Sequence, residues 1–266
     1  MQVARSGYYA WRAQLSDSVD MDAILIKKRM RAIFDDSDRT YGVRRIQKGL
    51  RTEGIICNHK KVRRLMKELN LVAKMKRKFK ATTNSKHNFP IEPDRLQRQF
   101  SVVKPNTAWV GDITYISTDE GWLYLAVVID LYSRKVKGWS MSERMTADLT
   151  IKALEMALGS SQGTKDILFH SDRGTQYASY RFKEVIKKHH MIQSMSRKGN
   201  CWDNAVSESF FGTLKQEHVY HCKFKTRGEA KSAIFNYIEV FYNRKRLHST
   251  LGYQTPESVE RHALAA

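Results

Sequence analysis

Three acidic residues sit where a carboxylate is costly unless something compensates its charge. Asp112 lies among Trp109, Val110 and Ile113, neighbours suited to a buried strand. Asp172 closes the run Ile167-Leu168-Phe169, and Gly174 lets the backbone turn away behind it. Glu208 falls inside a helical segment beside Phe210 and Phe211. Two acids at strands and one on a helix packed beside them make an oxygen-only donor set. Hard divalent cations take oxygen ligands and keep several waters, so two or three carboxylates suffice. Two such ions a few ångströms apart activate an attacking oxygen and stabilise a leaving one in phosphodiester displacement. That chemistry needs carboxylates rather than imidazole or thiolate. The three cysteines, Cys57, Cys201 and Cys222, form neither a disulfide framework nor a CxxC pair, so no structural zinc is expected.

The elements that must position these acids follow from pattern. TAWVGDITYIS, WLYLAVVIDLYS and KVKGWSMS are rich in Val, Ile, Tyr and Trp and read as three consecutive strands, the first two joined at Thr118–Gly121. MTADLTIKALEMALGS reads as an amphipathic helix with Leu149, Ala153, Met156 and Ala157 facing a core. DILFHSD is a short strand, SYRFKEVIKKHH a helix, MIQSMS a strand and AVSESFFGTLKQEHV a helix. Three strands and then helix–strand–helix–strand–helix is an α/β layer order.

The first third differs in texture. Residues 1–90 hold 22 Lys and Arg against 8 Asp and Glu, whereas residues 91–266 hold 25 against 19, within a formal net charge of +20. Cations concentrated in one third of a chain point to a polyanion, because each phosphate contact releases counterions. Three helices are expected there. The first carries Met21, Ile24, Leu25, Met30 and Ile33 on one stripe; the second carries Val43, Ile46 and Leu50 and stops at Gly54; the third is capped by Asn58 and buries Val62, Leu65, Met66 and Leu69. His59, Lys60, Arg63, Arg64 and Lys67 occupy the far side of the third, and Arg44 and Arg45 open the second. A helix-turn-helix with a cationic outer face is the reading, against a small bundle whose charges are merely solvated. KMKRKFK, the polar ATTNSKHN and Pro90 and Pro93 read as a linker. The division is thus 1–80 basic helical DNA-binding region, 81–98 linker, and 99–266 α/β core with a basic C-terminal segment. No apolar run approaches the roughly 20 residues of a membrane helix, and the start lacks the apolar stretch of a secretory signal, so a cytoplasmic location is expected.

WVGDITYI, HSDRGTQY and DNAVSESFFGTLKQE, read in order, resemble the catalytic core of DDE transposases and retroviral integrases, and are most similar to the insertion-sequence-3 family of bacterial transposases. Asp172 and Glu208 are 36 positions apart, the spacing that family uses. FYNRKRLHSTLGYQTPES is similar to its C-terminal signature, and YGVRRIQKGLRTEGIICNHKKVRRLMKELNL to the helix-turn-helix before its core. The resemblance implies a ribonuclease-H-like mixed five-stranded sheet with flanking helices, behind a basic helical N-terminal domain. It implies Mg²⁺, with Mn²⁺ as substitute, held by Asp112, Asp172 and Glu208. It also implies cleavage at element ends in double-stranded DNA, the terminal inverted repeats, to leave 3′-hydroxyls that attack target DNA. Lys215, almost two turns beyond Glu208, matches the family's basic residue beside the metals. Arg244, Lys245, Arg246 and His248 form a basic patch read as a DNA contact. A homo-oligomer on DNA is implied, near the nucleoid. The chain resembles the family's downstream reading-frame product, which frameshifting usually fuses to an upstream partner. Gly111 stands where the pattern has a larger polar residue.

Other residues have plainer readings. Asp130 pairs with Arg134 or caps a turn rather than binding metal, and Asp203 and Asn204 are read as N-caps of the Glu208 helix. His170 is either a packed strand residue or a support for Asp172, and His189 and His190 belong to a solvated helix end. Three functions remain open on the residues alone: a metal-dependent transposase, a DNA-binding partner or regulator with little activity of its own, and a ribonuclease-H-type nuclease.

Overall fold

The computed structural model describes residues 4–9, 21–74, 89–161, 165–197 and 201–265. It divides into two compact units, residues 1–74 and 75–266.

The first unit is built on helices α1 (Met21–Asp36), α2 (Val43–Thr52) and α3 (His59–Glu68). Its core is Ile26, Met30 and Phe34 from α1, Ile46 and Leu50 from α2, and Val62, Leu65 and Met66 from α3. Here α1 departs from the expected stripe: Ile24 and Leu25 are 49% and 51% exposed. Two apolar arcs overlap in this helix, and the one spaced strictly by four, Ile26–Met30–Phe34, is the one that turns inward. Ile33 still reaches α2, because Gly49 has no side chain; a Cβ there would stand 3.0 Å from Ile33 Cγ2. The Asn58 side chain accepts the Lys61 N–H at 2.8 Å and caps α3. Gly54, with φ +79°, ends the preceding turn in a left-handed conformation that favours glycine. Most of KMKRKFK and all of ATTNSKHN lie outside the described residues.

The second unit is a mixed five-stranded sheet in the order β3-β2-β1-β4-β5. Strands β1 (Ala108–Thr118) and β2 (Gly121–Asp130) form a long antiparallel hairpin, and β3 (Val136–Ser142) pairs antiparallel with β2. Strands β4 (Leu168–Ser171) and β5 (Ile192–Met195) run parallel to β1. Both faces are covered, which is why β2 reads as a nearly continuous apolar run. Leu123, Leu125, Val127 and Ile129 face one core; Ala126 and Val128 face the other. The first core is closed by α7 (Ala205–Glu217) and α8 (Arg227–Phe235), the latter widening into a π-helical stretch over Asn236–Tyr242. The second is closed by α4 (Ala147–Gly159), the single turn α5 (Thr175–Ala178) and α6 (Tyr180–Lys188).

Two expectations shift here. Met156 is 42% exposed rather than inward-facing. Helix α4 presses Ala153 and Ala157 directly onto Gly138 of β3, which rotates Met156 outward, where its sulfur accepts the Trp139 N–H at 3.4 Å. Residues 89–98, expected as linker, pack on this unit. Leu96 is buried, and the Arg95 and Leu96 N–H groups donate to Ser194 Oγ at 2.9 and 3.2 Å. The last helix, α9 (Pro256–Ala265), sets the Glu260 carboxylate between Lys135 and Lys137 at 2.6 Å from each.

The contact at Gly138 makes a signed prediction. A Cβ there would overlap the Ala153 carbonyl and the α4 backbone. Gly138→Ala is therefore expected to destabilise the protein by about 3 kcal/mol. Gly212→Ala, inside α7 with nothing near its added Cβ, is expected to stabilise by up to about 1 kcal/mol. Urea denaturation of both variants checks this; equal effects would contradict the packing described.

Candidate active site

The parallel pairing of β1 with β4 builds the site. Its register runs Ala108↔Leu168, Trp109↔Phe169, Val110↔His170 and Gly111↔Ser171, and then stops. The next residue on each chain is an aspartate, Asp112 on β1 and Asp172 just past β4. Paired strands lie about 4.8 Å apart, so the two carboxylates leave the sheet side by side. Gly111 makes the last pair possible. A Cβ there would run into the Phe169 ring, which is itself buried against Tyr177 and Phe182 at centroid distances of 6.0 and 5.3 Å. The departure at Gly111 is thus a packing requirement of Phe169.

Local hydrogen bonds orient both acids. Asp112 Oδ1 accepts its neighbour's N–H, Ile113, at 2.8 Å, and Asp172 Oδ1 accepts the Gly174 N–H at 2.9 Å in a turn that opens α5. Glu208 arrives from the other side, in the first turn of α7, which Phe210, Phe211 and Leu214 anchor in the sheet core. Its own side chain is exposed. Burial, first, and the Asp172 charge, second, hold the Asp112 carboxyl well above the usual carboxylate range. The Ile113 N–H opposes that rise, Glu208 adds to it, and Lys215 opposes it again. Partial desolvation of its carboxyl, on a side chain otherwise open to solvent, also raises Glu208. Glu208 thus lies within electrostatic reach of Asp112, though desolvation alone accounts for its own shift.

Among the described residues, no three acidic, histidine or cysteine side chains stand together as a ready cage for a metal. The donor chemistry fits a hard divalent cation all the same: every candidate ligand atom is a carboxylate oxygen, and the charges of Asp172 and Glu208 raise the Asp112 pKa, a repulsion that bound positive charge would relieve.

Lys215 has a different setting from the one expected. It is 3% exposed, with Nζ 4.7 Å from the Tyr115 ring centroid. Burial lowers its pKa to about 8 against the pull of Asp112. It faces the carboxylate centre rather than open solvent. Arg246 is a correction. Instead of joining a surface patch it is 5% exposed and grips both Glu217 oxygens at 2.8 Å, while Tyr237 donates to the same carboxylate at 2.9 Å. Arg244 stays on the surface, 3.7 Å from Glu257. In the first unit, Lys60, Arg63, Arg64 and Lys67 are exposed along α3 and Arg44 on α2; Arg45 is half-buried, 5.5 Å over the Tyr41 ring.

Asp130 serves a turn, accepting from Asn106 N, Ser133 N and Ser133 Oγ at 2.8–2.9 Å. Asp203 and Asn204 make no side-chain cap on α7. Asp203 is instead buried against Arg98 and Arg197, which hold its carboxyl well below the usual range. His170 is buried. Ser194 Oγ, which accepts two backbone N–H groups, lies 2.8 Å from His170 Nδ1, and burial lowers the imidazole's pKa. Sequence reading passes over Glu217, Arg98 and Arg197, because their partners lie 29, 105 and 6 positions away with no local spacing to signal the pairing.

Comparison with known proteins agrees with this architecture. Residues 102–201 and 208–264 each match a family described as an integrase core domain, and residues 21–79 match one described as an HTH-like domain. The chain is 47% identical to the insertion element IS600 uncharacterized 31 kDa protein of Shigella sonnei, over 99% of this chain and 98% of that one. It is 43% identical to transposase InsF for insertion sequence IS3A of Escherichia coli strain K12, over 100% of this chain and 93% of that one. A simian T-cell lymphotropic virus intasome in complex with PP2A regulatory subunit B56 gamma shares the fold, with TM-score 0.51 and 20% identity over 80% of this chain and 70% of that one.

The raised Asp112 pKa has a stability consequence. A carboxyl whose folded pKa lies above its unfolded value costs the metal-free fold nothing at low pH and progressively more as pH rises through the raised value. Asp112→Asn is therefore expected to match the native protein near pH 4 and exceed its Tm at pH 8 in chelator, by roughly 2–4 °C per kcal/mol relieved. Thermal melts across that range check it; a native protein as stable as the variant at pH 8 would contradict the electrostatics.

Proposed function

The chain belongs to the insertion-sequence-3 (IS3) family of transposases, and from that membership we propose that it cleaves DNA at the ends of a mobile element and joins the freed 3′-hydroxyls to a second phosphodiester, using divalent cations held by Asp112, Asp172 and Glu208. The observation behind the site assignment is the end of the β1–β4 ladder, which leaves two aspartates side by side with Glu208 in electrostatic reach. Bound there, Mg²⁺, or Mn²⁺ in its place, supplies Lewis acidity at the scissile phosphate and makes an attacking water or hydroxyl more acidic.

The chain's own groups do the rest by position. The Ile113 and Gly174 amides orient the two aspartates before substrate arrives. Lys215, buried beside Asp112, offsets part of the acidic charge. Lys60, Arg63, Arg64 and Lys67 on α3, with Arg44 on α2, give the helix-turn-helix a cationic face for the phosphates of the terminal inverted repeats. Arg45 and Arg244 are further contacts in this proposal; Arg246, committed to Glu217, is not. The enzyme acts as a homo-oligomer on paired ends, with the upstream reading-frame product as fusion or partner.

Incubation with labelled element-end DNA and Mn²⁺ is expected to yield strand-transfer products. Binding without nicking would favour a regulator, and cleavage of RNA–DNA hybrids alone a ribonuclease. Asp172→Asn is expected to cut nicking by roughly a thousandfold or more, the several kcal/mol of metal-assisted charge stabilisation, with DNA affinity nearly unchanged. Full activity in that variant would remove the site assignment.

The cations separate by role. Arg63→Ala and Lys67→Ala are each expected to weaken DNA binding and reduce the salt slope by about 1. Arg246→Ala leaves a buried Glu217 uncompensated and is expected to cost about 3 kcal/mol of stability. Filter binding across salt and denaturant melts read the two effects; an Arg246→Ala protein of native stability would return that residue to the DNA surface.

A further inference from the structure

A row of side chains leads away from the carboxylates along the β1–β2 hairpin and ends on an exposed indole. Lys215 lies over Tyr115, and Tyr115 meets Trp122 edge-to-face, with ring centroids 4.9 Å apart at 81°. Tyr115 is opposite Tyr124 and Ser117 opposite Trp122 in the hairpin register, so the two rings form a diagonal cross-strand pair. Trp122 is 50% exposed. The Arg227 guanidinium steadies its backbone, donating to the Trp122 carbonyl at 3.2 Å and lying 3.1 Å from Glu143. An edge-to-face pair covers at most one flat face between its two rings, so a large aromatic surface stays open. Unlike the apolar residues around Phe210, Trp122 belongs to neither packed core.

Strand distance sets how far this surface lies from the acids. Tyr115 is three residues from Asp112 along a strand and Ser117, opposite Trp122, is five. At about 3.4 Å per residue their backbones lie roughly 10 and 17 Å along β1 from that of Asp112, a span of three to five base steps of duplex DNA; alternation turns both rings to the sheet face opposite Asp112, with Lys215 within reach of both Tyr115 and Asp112. We propose that Trp122, buttressed by Tyr115 and Lys215, is a stacking platform for a nucleobase unpaired near the cleaved end of the DNA. An aromatic face takes any base, because every base has a π-surface. The platform holds the end frayed while the phosphodiester lies at the acids. This rests on the transposase reading above.

The test uses the full chain and a blunt duplex carrying the element's terminal repeat, with 2-aminopurine three to five positions from the cleaved 3′ end. Trp122→Leu keeps an apolar side chain on the hairpin and removes the ring; Trp122→Phe keeps a ring. Trp122→Leu is expected to cleave the blunt duplex roughly tenfold or more slowly, and a duplex with mismatched terminal pairs only about twofold to threefold more slowly. The native protein, Trp122→Phe and the cleavage-dead Asp172→Asn should all change the 2-aminopurine fluorescence on binding, and Trp122→Leu should not. Equal loss on blunt and mismatched duplexes, or native fluorescence with Trp122→Leu, would overturn the platform. A Trp122→Phe protein as impaired as Trp122→Leu would do the same. Asp172→Asn that still cleaves would instead overturn the site assignment, so the two failures read differently.

Discussion

Like charges brought together out of water repel, and that repulsion is the constraint around which the second unit is organised. Asp112 and Asp172 are neighbours because β1 and β4 run parallel and their ladder ends one residue before both acids. Antiparallel pairing would separate them, and a register slip of one would turn one of them to the opposite face. The ladder reaches its end with a glycine, because a Cβ at Gly111 would run into the Phe169 ring. A core contact thus bears on the spacing of two carboxylates, and burial first and the neighbouring charge second raise the pKa of Asp112.

The third acid depends on a different set of contacts. Helix α7 is seated at one end by Phe210, Phe211 and Leu214 and at the other by the Glu217–Arg246–Tyr237 cluster. The C-terminal segment therefore acts on the site through packing. Asn243 belongs to the same arrangement: its side-chain amide pairs with both backbone groups of Val136, at 3.0 and 3.1 Å, and so covers part of the open edge of β3. Lys135 and Lys137 close on Glu260 from α9. Several cations that count toward the net charge are thus spent inside the fold, and the phosphate-facing surplus rests more heavily on the first unit.

Family membership and geometry bear on different parts of the function. Identity of 43–47% across the whole chain establishes the transposase family. The register, the burial of Lys215 and the aromatic row beside it connect that family to particular atoms in this protein. His170, Asp203 and Asp130, all polar and all near the acids or their strands, are engaged in holding loops and strand ends.

Local pattern was enough for the strands and for the order of elements, because alternation and helical spacing are properties of neighbouring residues. Asn58 as a cap and Gly54 as a stop were legible for the same reason. Packing alone chose which arc of α1 turns inward, sent Met156 to the surface, drew Arg246 into a buried ion pair and folded residues 89–98 onto the second unit. Each of those outcomes depends on a partner far away in the chain: Gly49 under Ile33, Gly138 under α4, Glu217 beside Arg246, Ser194 beneath Leu96. A residue's type declares what it could bind; only the neighbour that tertiary packing delivers decides what it does.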